Sequence, residues 1–463
     1  MDDQPTRTID TAAVLAADRH HLHPFTTHRE LRATGPRVIA GAEGVHLITA
    51  DGRRILDGMS GLWCVQLGYG VRPLIDAGRE ALETLPYYNT FFQCTHPYVA
   101  ELTAELKTLL PEGFDEIFYA CSGSEANDSA VKLIRYYWNL MGRPEKKQII
   151  ARRWAYHGVT LAAASLSGLP HLHPQFDLPL AGFHHVEPPP YRFGFGRDMS
   201  EEAFCDLCVE ATERKILEIG PERVAAFIGE PVMGAGGMMT PPAGYWPRIA
   251  ELCRKHDILL WADEVITGFG RTGRWWGFET YEFLPDIITM AKGMSSGYQP
   301  ISAVALGPRM GPVIADAPDE MAHGFTYSGH PVAAAVAIAN IREMKRRGLV
   351  DSADSRRRIA LFQEAVRGLA DHPLVGEVRG VGFLAAIELV ADRKTGRRFE
   401  PEGRAGLLCR EESVKAGLVM RAVRDTMILA PPIVIDAPEI TEIAGAARRA
   451  LDRTAEILAR DGG

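Results

Sequence analysis

Residues 286–304 read DIITMAKGMSSGYQPISAV. Ile287, Ile288, Met290 and Ala291 spell a short buried strand, and Ile301, Ala303 and Val304 open another. Between them stands Lys292, with small neighbours on both sides and no acidic residue within five positions. Burying a lone ammonium is costly, and such a group sheds its proton. An amine held neutral in this way is a nucleophile toward aldehydes. The plainer reading is a lysine that snorkels to solvent. The apolar flanks oppose it.

Working outward, further strand candidates lie upstream: EIFYAC (116–121), QIIARR (148–153), VAAFIGEPV (224–232) and ILLWADEV (258–265). Between them run amphipathic segments such as SEANDSAVKLIRYYW (124–138), where Ala126, Ala130, Ile134 and Tyr137 recur at helical spacing. Strand and helix in alternation predict an α/β fold, a mostly parallel central sheet flanked by helices. Residues 45–57, VHLITADGRRILD, read as a hairpin turning at Asp51-Gly52. After about 340 the pattern changes to charged helices and short strands, the mark of a smaller α+β domain. The division expected is an N-terminal segment and hairpin (1–60) belonging to the small domain, a large domain (61–340) and a C-terminal small domain (341–463). HHVEPPPYRFGFGRD (184–198) and RMGPVIADAPDEMA (309–322) read as loops.

Composition narrows the class. Of 463 residues, 46% are hydrophobic and 24% charged, ordinary for a globular protein and long enough for two domains. A net charge of −8 argues against nucleic-acid or anionic-membrane surfaces. No apolar run approaches a membrane span, and the acidic opening MDDQPTRTID lacks the pattern of a signal peptide. The seven scattered cysteines suit free thiols in a reducing compartment, so a cytoplasmic location is expected.

Chemistry-bearing residues fall at the strand ends: Ser122-Gly123-Ser124, Glu230, Asp263 and Lys292. In an open parallel sheet those ends line one crevice. Ser122 with Glu125 matches a capping box, yet the glycine and second hydroxyl also suit a phosphate on a helix N-terminus. Asp263 ends a buried run and needs a donor or cation, which an internal salt bridge could also supply. Together, a phosphate cradle, a buried aspartate and a nucleophilic lysine fit pyridoxal 5′-phosphate, whose ring nitrogen takes an acidic partner.

Four motifs compete. GFGRTG (268–273) matches G-x-G-x-x-G but lacks the strand-to-helix context of a dinucleotide site. GMSSG (293–297) matches a nucleophile elbow, yet Pro300 and ISAVAL follow where a helix is required. HHLH (20–23) has no evident partner, and Cys205-x-x-Cys208 lies one turn apart on a helical stretch, so both read as structural rather than metal-binding.

With these residues in view, the chain resembles class III pyridoxal-phosphate aminotransferases of the ω-amine:pyruvate branch. The likeness is carried in order by HPF (23–25), DGMSGLWCVQLGYG (57–70), LPYYNTFF (85–92), SGSEAND (122–128), AYHG (155–158), GEPVMGAGG (229–237), WADEVITGFGRTG (261–273), AKGMSSGYQPI (291–301), HGFTYSGHPVAAAVA (323–337) and RAVRDTMILAPP (421–432). The resemblance implies fold type I and a ping-pong transfer from an ω-amine, diamine, arylalkylamine or amino acid to a keto acid, pyruvate first. It implies that Lys292 bonds to the cofactor aldehyde and shuttles the proton, and that Asp263 pairs with the pyridinium nitrogen. Val265 and Tyr156 flank the ring, Ser122, Gly123 and Ser124 hold the phosphate with Thr326 of the partner subunit, and His157 and Glu230 complete the cofactor site. The implied assembly is a homodimer with shared active sites, a tetramer being the other possibility.

The substrate pocket implied by the same likeness takes Phe25, Trp63 and Tyr156 from one chain and Phe91 and Phe325 from the other. Arg421 matches an arginine that grips a substrate carboxylate; the plainer reading is a surface arginine. Where ornithine- and 4-aminobutyrate-type enzymes carry an acid in GEAG, this chain has Ala235 in GAGG, leaving Arg421 without that partner. Cys121 stands where a small or polar residue is the family expectation. Other activities of the same class (aminomutase, decarboxylase, racemase) are alternatives. An NAD-dependent dehydrogenase would rest on GFGRTG alone, and a non-catalytic binding protein would be expected to lack Lys292 or Asp263.

Overall fold

The computed structural model describes residues 9–460; Met1–Thr8 of the acidic opening lie outside them. Six buried or half-buried segments pair with one edge strand into a seven-stranded sheet. In chain order the strands are β4 (Glu116–Ala120), β5 (Gln148–Arg152), β6 (Phe183–Val186), β7 (Val224–Gly229), β8 (Leu259–Asp263), β9 (Ile287–Met290) and β10 (Ser302–Leu306). Their spatial order is β4-β10-β9-β8-β7-β5-β6. Six strands point the same way, and β10 alone in this sheet runs antiparallel, to both β4 and β9. Strands buried on both faces carry unbroken apolar runs, as VAAFIG and LLWAD do.

Register sets the site. Gly229 pairs with Ala262 and Asp263 with Thr289, so the next residues, Glu230 and Glu264, leave neighbouring strands at one rim. Lys292 follows two residues beyond the end of β9. The helix Gly123–Leu140 lies across the sheet, burying Ala126, Ala130, Ile134, Tyr137 and Trp138 on one stripe. Its N-terminus therefore opens on the same rim.

Two smaller sheets stand apart. A three-stranded meander, β1 (Ile39–Glu43), β2 (His46–Thr49) and β3 (Arg54–Leu56), contains the expected hairpin. A four-stranded antiparallel sheet joins β11 (Val375–Val381), β12 (Leu384–Leu389), β13 (Arg421–Val423) and β14 (Thr426–Leu429) in the order β11-β12-β14-β13. Leu56 ties the two ends of the chain: its N–H donates to Gly417 O (2.9 Å) and its carbonyl accepts from Val419 N (2.9 Å). The helix Pro331–Arg346 runs through position 340, the place where the sequence pattern changes.

Two expected loops contain structure. Phe183–Val186 forms edge strand β6, parallel to β5, so the first residues of 184–198 belong to the sheet, and Arg192–Phe195 makes a helical turn. The strand escaped notice because its centre is His184 and His185, half-buried, with no period-two alternation. Within 309–322, Gly311–Ala315 is also a short helix. The two competing motifs behave as their contexts predicted. GFGRTG is a tight turn in which Phe269 N donates to Trp275 O and Gly270 N to Arg274 O. GMSSG follows a single 3₁₀ turn at Lys292–Met294, with no helix behind it.

Candidate active site

The centre is a buried carboxylate with its donors already in place. Asp263 ends β8 and is 3% exposed. Its Oδ2 accepts from Asn127 Nδ2 (2.9 Å) and bonds to His157 Nδ1 (2.7 Å); its Oδ1 accepts from Val265 N (3.1 Å). Asn127 Nδ2 also donates to the carbonyl of His157 (2.6 Å), and Ser167 Oγ accepts from His157 N (2.8 Å). Asn127 and His157 thus fix each other as well as the acid. Oδ1 keeps one lone-pair direction for a further donor.

Lys292 faces Asp263 across a cavity of about 360 Å³. Its walls include Ser122, Gly123, Ser124, Asn127, Tyr156, His157, Gly158, Glu230, Asp263 and Val265. Burial pushes the Lys292 amine below its ordinary value of 10.5, although the carboxylates of Asp263 and Glu230 pull the other way. Among the described residues no acceptor engages Nζ. The backbone at Lys292 is left-handed (φ 44°), a conformation a non-glycine residue holds only when its surroundings impose it.

At the helix mouth Ser122 is the N-cap: its hydroxyl accepts from Glu125 N (3.2 Å), and Glu125 Oε2 accepts from Cys121 N (2.7 Å). Ser122 caps the helix as expected, but the return bond from Glu125 goes to Cys121, one residue before the cap, so the box is not closed on Ser122 itself. Gly123, Ser124 and Gly158 form the rest of this corner, and Ser124 Oγ accepts from Val159 N (3.1 Å). A Cβ on Gly158 would lie 2.6 Å from Ser124 Oγ, and one on Gly123 3.1 Å from Val265. Backbone approaches here as closely as glycine permits, leaving room for an anion at the helix dipole.

These residues fit pyridoxal phosphate. The amine of Lys292, the carboxylate of Asp263, the first residues of the helix at Ser122–Ser124, and Val265 and Tyr156 all line the one cavity. Two buried polar atoms at this wall, Asn127 Oδ1 and His157 Nε2, lack partners. Glu230 Oε1 accepts from Tyr156 N (3.1 Å) and Oε2 from Gly234 N (2.9 Å), so this acid positions Tyr156 from behind. Burial raises its carboxyl above the ordinary value.

The remaining expected residues divide into two groups. Arg421, at the start of β13, stacks on Trp63, its guanidinium carbon 4.6 Å from the ring centroid. Among the described residues it has no carboxylate partner. Trp63 is 2% exposed and packs with Val232, Met238 and Ile266 rather than lining the cavity. Ala235 lies beside Leu169, Leu172 and Tyr156. Phe25, Phe91, Phe325 and Thr326 do not line this chain's cavity. Phe25 is 67% exposed, while the other three are neighbours on one face: a Cβ on Gly324 would meet the Phe91 ring, and Thr326 O accepts from Tyr87 OH (2.7 Å).

Two residues escaped the sequence reading. Asn127 was visible only as part of a helix; nothing in its spacing points to Asp263, 136 positions away. Arg271, inside GFGRTG, is buried and donates to Ser60 Oγ (2.9 Å) and to Pro431 O. Ser60 Oγ donates onward to Ala430 O. From the other side Asp57 accepts from Met59 N (3.0 Å), Gly61 N (2.6 Å) and Tyr69 OH (2.7 Å). Asp57 and Arg271 hold a turn with left-handed backbone at Ser60, Gly61 and Trp63, which sets the indole under Arg421. A buried arginine with no acid beside it in sequence was the available signal.

The sequence profile described as "Aminotransferase class-III" matches residues 29–451. The putrescine–pyruvate aminotransferase of Pseudomonas aeruginosa is 48% identical over 436 residues, covering 94% of this chain and 95% of that protein. The diaminobutyrate–2-oxoglutarate transaminase of Halomonas elongata is 40% identical, covering 96% and 97%. Among solved structures, the ω-transaminase from Pseudomonas jessenii in complex with PMP superposes with a TM-score of 0.94 at 41% identity, covering 97% of this chain and 100% of that one.

Proposed function

The chain belongs to the class III aminotransferases, enzymes that use pyridoxal phosphate, and we propose that it moves an amino group from an ω-amine or diamine to pyruvate. The observation that carries the reading is the pairing of Lys292 with Asp263 across one cavity. Bound there, pyridoxal phosphate supplies an electron-accepting ring that makes the hydrogen on the amine-bearing carbon acidic. Lys292 Nζ, whose hold on its proton is weakened by burial, would hold the cofactor at rest. The same nitrogen, once free, would serve as the base that takes the proton from the substrate carbon and as the acid that gives it back. Asp263, its carboxylate held by Asn127 and His157, would accept a hydrogen bond from the protonated ring nitrogen and keep that proton in place. Ser122, Gly123 and Ser124 take the phosphate, and Val265 and Tyr156 bracket the ring.

Arg421 takes the carboxylate of the keto acid. Stacked on Trp63 and with no fixed acid among the described residues, it can withdraw when an amine without a carboxylate enters. The similarity to a putrescine–pyruvate aminotransferase supports a diamine as donor and pyruvate as acceptor. A homodimer is part of the proposal. Thr326, Phe91 and Phe325 share an exposed face with Phe92, itself 89% exposed, and a second copy covering that face would bring them to its own cavity. Phe25 would close the pocket mouth. Among the described residues no helix is long and apolar enough to cross a membrane, and seven free thiols support a cytoplasmic location.

The test is a panel of amines scored for alanine formed from pyruvate. Turnover with putrescine and related diamines is expected. Turnover confined to 2-oxoglutarate, or carbon dioxide release or racemisation without amine exchange, overturns it.

A further inference from the structure

The HHLH stretch, without a partner in the sequence, gains one in space. Asp18 closes the helix Thr11–Asp18, and the chain then turns so that His21 and His23 come back to its carboxylate. His23 Nε2 lies 2.9 Å from Oδ2 and His21 Nδ1 3.7 Å from Oδ1. The two imidazoles are 4.3 Å apart, centroid to centroid. One ligand atom from each of the three residues lies within 4.8 Å of the others.

We propose that Asp18, His21 and His23 bind a divalent transition-metal cation of the zinc class. Zinc takes nitrogen and oxygen ligands at about 2.0–2.2 Å, so two ligands of one ion stand up to ~4.3 Å apart. Around a tetrahedral ion the 2.9 Å His23–Asp18 contact opens a little, while His21, 3.7 Å from the carboxylate, closes on it by a small movement. His21, exposed, is free to make it. Two imidazoles and one carboxylate suit zinc, nickel or copper rather than magnesium or calcium, which prefer oxygen. A fourth position stays open to water.

Electrostatics point the same way. A carboxylate at a helix C-terminus faces the negative end of the dipole. Among the described residues the ion-pair partners of Asp18 are these two histidines. A divalent ion would offset both the carboxylate and the helix end. Mechanically, the helix has eight residues and buries none of them, too short to be stable by itself. A cation would tie it to the segment that carries Phe25, two residues beyond His23.

Calorimetric titration of the holoenzyme with zinc sulfate is the test, run beside the variants Asp18→Asn, His23→Gln and His20→Gln. His20 belongs to the same motif but not to the converging set, so it separates a site from a histidine-rich surface. Zinc held by cysteines or cofactor is present in every variant and subtracts out. One saturable site per chain is expected, weakened at least ~10-fold by Asp18→Asn and His23→Gln, no less than loss of an outer partner costs, and unchanged in His20→Gln. Absence of saturable uptake, uptake that the first two variants retain, or equal loss in His20→Gln overturns the proposal.

Discussion

At Lys292 a single amine must be neutral to react, and burial favours that form. Its lowered value has a definite sign. Between the folded value and the ordinary 10.5 the unfolded chain binds the proton and the folded apoprotein does not. Apoprotein stability therefore gains from this residue as pH rises through that window, and the burial cost is complete below it. Pyridoxal phosphate capture by the apoprotein should rise with pH and level off below 10.5; a profile still climbing there would contradict the burial argument. Asn127 has no chemistry of its own, yet it donates one hydrogen bond to the buried acid and a second to the carbonyl of His157, which also holds that acid. Bonds to charged groups are worth about 1.5–3 kcal/mol, so Asn127→Ala should weaken cofactor binding by roughly tenfold or more in an equilibrium titration. An unchanged affinity would show that His157 alone suffices. Arg421→Ala should raise KM for pyruvate far more than for an arylalkylamine; equal losses would remove the carboxylate role.

Elements matter here through the turns between them. Gly158 has φ 131° and its missing Cβ would sit 2.6 Å from Ser124 Oγ and 2.8 Å from Ala163. Gly158→Ala should cost about 1–3 kcal/mol in thermal or denaturant unfolding and loosen phosphate binding with it. A variant of native stability and affinity would mean that this corner relaxes freely. The turn at Ser60–Trp63 offers a separate check, because it touches no substrate. Arg271→Met leaves Ser60 without its donor, so Trp63 loses its fixed place under Arg421. The ratio of keto-acid to simple-amine efficiency should shift, whereas an effect on stability alone would reduce Arg271 to a structural tie. Much of this architecture was legible: VAAFIG, LLWAD and IITM are largely apolar runs, and a residue of the site stands at the end of each or within two positions of it. Strand β6 was not, because an edge strand centred on two histidines carries no hydrophobic pattern. Asn127 and Arg271 were hidden for a different reason. Their partners are distant in sequence, and pairing at such range is decided by packing.

For the whole molecule, one chain supplies the amine, the acid and the phosphate corner, but leaves Phe91, Phe325 and Thr326 on an outer face. Two copies are the natural completion, and light scattering of the purified protein should give at least twice the mass of the 50.9 kDa chain. A monomer with full activity would rule out a shared site. Sequence order foretold which residues mattered through motifs spread over the chain, while only the fold shows which of them one chain can bring together. The account turns on the bond at residue 292. Borohydride reduction of the purified protein, followed by peptide mass mapping, reads it directly. A pyridoxyl group on the peptide containing Lys292, absent from Lys292→Ala, is the predicted result; a pyridoxyl group on another lysine, or on none after incubation with the cofactor, would contradict it.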